Sequence, residues 1–440
     1  MQIGLVGLGV MGRNLALNFR DRGIEPVVWD PWAEARASAA GALRVVETPA
    51  ELAGALQGPR VLLMLVKAGA PVDDAIAVLQ PVLSAGEILI DAGNSRYQDT
   101  ERRASALAEA GLHHVGLGVS GGAEGARHGP AMMAGCEAGI WPAVEPLLSA
   151  VAARAGDRPC LERFGTGGAG HFVKMVHNGI EYAAMQALAE ICHALQVGAN
   201  MPVSRIAEQL GEARPGYLVG ITREILTTRD PLGDGPLLDV IDDRAGQKGT
   251  GAWCVEASLD LGVAIPSISE AVAQRQLSSG PGARTAAPKR GGLDPAALAL
   301  ASGAADATAA IAVAQGLELA KAAAAVHGWA ITPDGLARAW QAGSILRMPL
   351  LDELAGGDGE AVDRAIQRNL GSLRSFTAAS MLAAQPVAVL ASSVTWVDTR
   401  RLSPLPTRMV QAQRDRFGDH GFGRTDRDGV HHGPWRLDGA

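Results

Sequence analysis

The sequence predicts a doubly wound α/β sheet over its first third, then a large all-α domain and a C-terminal tail. Three observations lead there. Short apolar runs alternate with helical patterns up to about residue 120. A glycine-rich turn follows the first of those runs. Beyond Gly165–Gly170 the runs give way to long Ala- and Leu-rich helical segments with few strand candidates.

Taken in order, Gln2–Val6, Pro26–Trp29, Val61–Val66 and Ile88–Asp91 read as parallel strands, and His114–Val119 as a further one. Asn14–Arg22, Pro49–Leu56 and Thr100–Ala110 read as helices between them. Gly7-Leu8-Gly9-Val10-Met11-Gly12 falls between the first strand and the first helix. The first glycine permits the tight turn, the second admits a pyrophosphate to the backbone, and the third brings the helix onto the strand. The helix N-terminus then faces the anion. This is a Rossmann-type dinucleotide fingerprint in the context it requires.

The end of the second strand bears on which dinucleotide. Asp30 stands eighteen residues after Gly12, where a carboxylate accepts hydrogen bonds from the adenosine ribose and repels a 2′-phosphate. Pro31 supplies no charge, and the nearest cation, Arg36, lies about a helical turn further on. NAD is therefore the expected cofactor and NADP the alternative. Asp30 also suits a helix cap, and the two roles are compatible.

Domains are expected at 1–167 (dinucleotide binding), 168–404 (all-helical, substrate binding and dimerisation) and 405–440 (tail). Ala296–Gln315 is Ala-rich and carries Asp306, so it reads as a buried helix and not a membrane span. Ser279–Gly292 reads as an exposed loop, and the tail alone as loosely packed, with few core candidates. A net charge of -7 argues against a nucleic-acid partner. The four cysteines form no CxxC pair, which predicts a reducing compartment, and no HExxH occurs among the ten histidines, so no metal is expected. The first residues lack the basic start and apolar run of a signal peptide, and a cytoplasmic location is expected.

Lys174, His177, Asn178 and Glu181 are spaced i, i+3, i+4 and i+7, so one helical face can carry all of them. Such groups are costly to bury; they either salt-bridge or line a cleft. Gly118-Val119-Ser120-Gly121-Gly122 formally satisfies the GxSxG of a serine hydrolase, but the glycines and proline that follow do not predict the helix such an elbow needs.

Several segments resemble the 6-phosphogluconate dehydrogenases. They are Leu63–Asp74, Asp91-Ala-Gly-Asn-Ser95, Gly118–Arg127, the run Gly170–Tyr182, Ala245-Gly-Gln-Lys-Gly-Thr-Gly251 and Gln411–Asp415, which occur in the family's order along nearly the whole chain. The resemblance implies oxidative decarboxylation of 6-phosphogluconate to ribulose 5-phosphate, with Lys174 as general base and Glu181 as the acid that protonates the enediol. It implies substrate contacts at Asn94, Ser120, Gly121, Gly122, His177 and Asn178, and phosphate contacts at Tyr182, Lys248, Thr250, Arg275 and Arg414, with His420 close by. Cofactor contacts are implied at Gly7, Gly9, Val10, Met11, Gly12, Asp30, Val66, Lys67, Ala68 and Asn94. The tail is implied to reach the partner subunit's site in a homodimer. The family commonly has Asn-Arg where Asp30-Pro31 stands, which again points to NAD. A related β-hydroxyacid dehydrogenase for an unphosphorylated acid is the rival reading; the Ala245–Gly251 run and the Arg- and His-bearing tail argue against it.

Overall fold

The computed structural model describes residues 2–211, 216–280 and 290–435. The core of the expected loop Ser279–Gly292 lies outside them. The sheet is built from β1 (Gly4–Val6), β2 (Val27–Trp29), β3 (Arg44–Val45), β4 (Val61–Met64), β5 (Ile88–Asp91), β6 (His113–Ser120), β7 (Ala131–Gly135) and β10 (Leu161–Gly165). Between the last two, β8 (Arg154–Ala155) and β9 (Arg158–Pro159) form a separate short ladder. Across the sheet the order is β3-β2-β1-β4-β5-β6-β7-β10. All neighbours are parallel except β6 and β7, where the chain reverses.

Helices α1 (Val10–Asp21), α2 (Ala33–Ala39), α3 (Pro49–Gly54), α4 (Ala70–Leu79), α5 (Tyr97–Glu109), α6 (Gly122–His128) and α7 (Trp141–Val151) accompany the strands. Successive strand residues face opposite layers. Leu63 and Ile90 pack with Phe19 and Leu148 on one side, while Leu62 and Leu89 pack with Leu52 and Leu79 on the other. Both faces are apolar, which is why these strands read as unbroken apolar runs. The sequence missed β3, too short to register, and β7 and β10, whose small or charged residues hide their period.

The all-α region begins with α8 (Ala169–His193), α9 (Val203–Gly211), α10 (Tyr217–Thr227), α11 (Thr250–Asp260) and α12 (Pro266–Ser279). It continues with α13 (Ala301–His327), α14 (Pro333–Trp340), α15 (Pro349–Ala355) and α16 (Ala361–Leu382). By length and composition alone, Pro295–His327 is apolar enough to cross a membrane. Here α13 packs against α8 and α16 and buries Ile311, Val313 and Leu319, the pattern of a central core helix. The expected buried helix over Ala296–Gln315 is thus found, extended to His327.

Two compact units result, Met1–Ser393 and Val394–Ala440. The second opens within α17 (Ala388–Arg401) and holds α18 (Thr407–Gly418) and a hairpin of β11 (Phe422–Gly423) and β12 (Val430–His431). It is poor in apolar core, as expected, yet it is not loose. The buried Asp415 carboxylate accepts hydrogen bonds from Gly421 N (3.0 Å), Gly433 N (2.9 Å) and Trp435 Nε1 (3.0 Å), and meets His432 Nδ1 at 2.7 Å. A polar hub replaces the missing core, and patterning by hydrophobicity could not reveal it.

Candidate active site

The glycine fingerprint forms the turn that its spacing predicts. Gly7 has φ +98°, and a Cβ there would meet the Leu65 carbonyl at 2.5 Å. A Cβ on Gly12 would overlap the Gly7 carbonyl, whereas Gly9 faces open space. That open side is where a pyrophosphate has access to the start of α1, with Val10 exposed and Met11 half-buried beside it. Val66, Lys67 and Ala68 follow β4, and Asn94, exposed, follows β5. All lie at the carboxyl ends of strands flanking the β1/β4 switch point, where open α/β sheets bind ligands.

The N-cap of α2 is Trp32, with no side-chain bond, so the anticipated capping role is not found and Asp30 serves the glycine turn instead. Its carboxylate accepts from Leu8 N at 2.7 Å and from Trp32 N at 2.8 Å, bracing the glycine turn against the end of β2. Arg36 is fully engaged nearby. Its guanidinium pairs with Glu47 at 2.8 Å and donates to the carbonyls of Asp30 (2.8 Å) and Pro31 (3.2 Å).

The polar stripe of α8 reaches the cleft because two backbones nearly touch. A Cβ on Gly118 of β6 would overlap that of Lys174 and lie 2.9 Å from the Gly170 carbonyl. Glycine at this point seats the first turns of α8 on the sheet, directly below Ser120, Gly121 and Gly122. His177 is wholly buried at the centre. Its Nε2 lies 3.0 Å from Ser120 Oγ, and its Nδ1 lies 3.4 Å from Lys174 Nζ, 3.2 Å from Asn178 Oδ1 and 3.7 Å from the Glu181 carboxylate. Five residues singled out from the sequence therefore converge within one contact network.

Burial pushes the Lys174 ammonium down to about 8, against the Glu181 carboxylate, which favours the charged form. Burial likewise pushes the Glu181 carboxyl up, opposed by Lys174 and Arg275. His177 is held well below the usual imidazole range by burial and then by the Lys174 charge. The site thus holds a lysine able to lose its proton near neutral pH, beside a carboxyl able to keep one.

Further along α8, Tyr182 carries the Arg275 guanidinium on its ring at 3.4 Å. Arg275 also donates to the Gly246 carbonyl at 3.3 Å, and Ala245 N donates to Ser278 Oγ at 3.0 Å. These bonds pin the Ala245–Gly251 loop to α12, with Thr250 buried at the start of α11 and Lys248 exposed. Tyr182 and Arg275 are thus in contact, and Lys248 and Thr250 belong to the segment that Arg275 pins. Arg414 and His420 belong to the second unit, both exposed.

Ser120 does lead into a helix, α6, contrary to expectation, and it contacts a histidine. A serine nucleophile needs that histidine to accept a proton and become cationic. Beside Lys174 in a buried site, His177 is disfavoured as a cation, so the hydrolase reading fails on electrostatics. One contact was not foreseen. Ser344, wholly buried, lies 3.0 Å from His177 Nε2.

Comparison with known proteins fits this geometry. Residues 2–165 match the NAD binding domain of 6-phosphogluconate dehydrogenase, and residues 170–435 match that enzyme's C-terminal domain. The chain belongs to the 6-phosphogluconate dehydrogenase family. It is 38% identical to the decarboxylating enzyme of Drosophila simulans, over 100% of this chain and 97% of that one. It is 36% identical to the NADP(+)-dependent decarboxylating enzyme of Bacillus subtilis, over 99% of both. The solved structure of the Plasmodium falciparum enzyme, studied free, with NADP+ and with 6-phosphogluconate, superposes with a TM-score of 0.90 at 31% identity, covering 99% of this chain and 100% of that one. The N-terminal sheet of this family member is accordingly an NAD(P)-binding domain.

Proposed function

We propose that the chain oxidises and decarboxylates 6-phosphogluconate to ribulose 5-phosphate and carbon dioxide in the pentose phosphate pathway. The observation that carries this is Lys174, buried yet able to be neutral near pH 8, alongside a Glu181 that favours its proton. Neutral Lys174 takes the proton of the substrate hydroxyl. The bound dinucleotide supplies the hydride acceptor. The resulting β-keto acid places a ketone oxygen beside the now charged Lys174, which stabilises negative charge there as carbon dioxide leaves. Glu181 then protonates the enediol. Ser120, Gly121, Gly122, Asn94 and Asn178 border the substrate, and Tyr182, Lys248, Thr250 and Arg275 stand where its phosphate would lie. Release of carbon dioxide in step with nicotinamide reduction tests the reaction; turnover of only an unphosphorylated hydroxy acid would overturn it.

NAD is the preferred dinucleotide in this reading, although the Bacillus relative is named as NADP-dependent. Asp30 directly follows β2, the position at which a carboxylate suits an unphosphorylated ribose, and Arg36 is already paired with Glu47. Rates with the two dinucleotides decide it, and Glu47→Gln, which frees Arg36, should improve the use of NADP. A homodimer in which each tail lends Arg414 and His420 to the partner's site completes the reading. Mixing a Lys174→Met subunit with an Arg414→Ala subunit should then recover activity that neither variant has alone. The four cysteines are free and buried, which suits a reducing, cytoplasmic setting, and fractionation of cells would check it.

A further inference from the structure

Ser344 follows α14 in a loop that is locked from three sides. The Gly343 carbonyl accepts from Ala131 N at 3.2 Å, so the loop adjoins the start of β7 next to the substrate loop. The Ser344 carbonyl accepts from Arg347 Nη1 at 2.8 Å, and the Arg347 guanidinium rests on the Tyr217 ring at 3.8 Å. Ser344 Oγ accepts from Leu346 N at 2.9 Å. The side chain is wholly buried, so its hydroxyl hydrogen needs an acceptor inside the protein. His177 Nε2, at 3.0 Å, is the acceptor in reach among the described residues.

We propose that Ser344 is a positioning residue that fixes the tautomer of His177 and, through it, keeps Lys174 in its basic form. The argument follows from counting donors and lone pairs. Ser344 donates to Nε2, so Nε2 carries no proton, and the neutral ring must carry it on Nδ1. Nδ1–H then faces the Asn178 side-chain oxygen, the Glu181 carboxylate and Lys174 Nζ. A donor aimed at Nζ favours the amine, which offers a lone pair, over the ammonium, which does not. Ser120, the second hydroxyl at Nε2, is thereby released from that lone pair and free to turn to the substrate. Among the described residues, Trp340 makes a further, edge contact with the ring at 5.7 Å. Arg275 lies beyond, acting on Glu181.

Without the Ser344 hydroxyl, a substrate that engages Ser120 leaves Nε2 with no donor. The ring then turns to the Nε2–H tautomer, and the Nδ1 lone pair stabilises the Lys174 ammonium. This role rests on the reading of Lys174 as the base, so the test separates the two. The ring of His177 is first read directly, from the nitrogen-15 shifts of histidine-labelled protein with 6-phosphogluconate bound and no dinucleotide. Nδ1 should be protonated in the wild type and Nε2 in Ser344→Ala. The acid limb of kcat in Ser344→Ala should move to higher pH by about half a unit, which is roughly threefold in activity below the limb. Ser344→Cys, which keeps a weak donor of similar size, should restore much of the wild-type limb. Nε2–H in the wild type overturns the proposal, as does an unmoved limb in Ser344→Ala. A wild-type protein inert toward 6-phosphogluconate overturns the function instead, and Nε2–H in the free wild-type protein would still overturn the role of Ser344.

Discussion

Two glutamates stand nine residues apart on α8, and burial pushes both carboxyls above their usual range. Their partners differ. Glu181 is surrounded by side chains that carry or exchange protons: Lys174, His177 and Arg275. Glu190, raised to about 7, is held by backbone. It accepts from Val389 N at 3.0 Å and Leu390 N at 3.1 Å, and so caps the start of α17 from another helix. A perturbed carboxyl is therefore no mark of catalysis by itself. What surrounds it decides whether the proton is used in turnover or in folding.

Four substitutions probe that contrast. Lys174→Met should cost the most, a loss of about 10³-fold or more in kcat with the fold intact, read by steady-state kinetics and circular dichroism. Glu181→Gln should cost about 10²-fold. It should also move the acid limb of kcat/KM below its wild-type position near pH 8, because the removed anion favours the Lys174 ammonium. A limb that stayed put would mean Glu181 does not couple to Lys174. Glu190→Ala should leave kcat nearly unchanged and lower stability by about 1–3 kcal/mol, since two buried N–H groups lose their acceptor.

The last effect concerns pH. Unfolded, Glu190 ionises near 4.5; folded, near 7. Between those values the folded chain keeps a proton that the unfolded chain has released, so stability falls as pH rises through this window and levels off above it. Glu190→Gln should flatten that part of a plot of urea midpoint against pH. An unchanged slope would show that the carboxyl is ionised throughout.

Much of this was legible in the residues. The glycine fingerprint, the strands flanking it and the α8 stripe all follow local period and spacing, and the structure places them within a few residues of expectation. The stripe worked because four costly side chains shared one face. Ser344 had no such signal: a lone serine in a loop acquires meaning only from the fold that sets it against His177. Glu190 was invisible for the same reason, since its partners lie almost 200 residues away. The tail was misjudged because its organiser is a carboxylate, Asp415, and apolar periodicity cannot report a polar hub.

The near-contact between Gly118 and Lys174 has a consequence for how this enzyme can change. Strand β6 ends in the substrate loop, α8 carries the base, and at Gly118 the strand meets the Gly170 carbonyl and the stem of Lys174 with no side chain of its own as a spacer. Displacement of either element is passed on to the other undiminished. Altered substrate choice must therefore come from parts attached at the rim, such as the Ala245–Gly251 loop, because even a single methyl group added at the seam would shift the reacting centre itself.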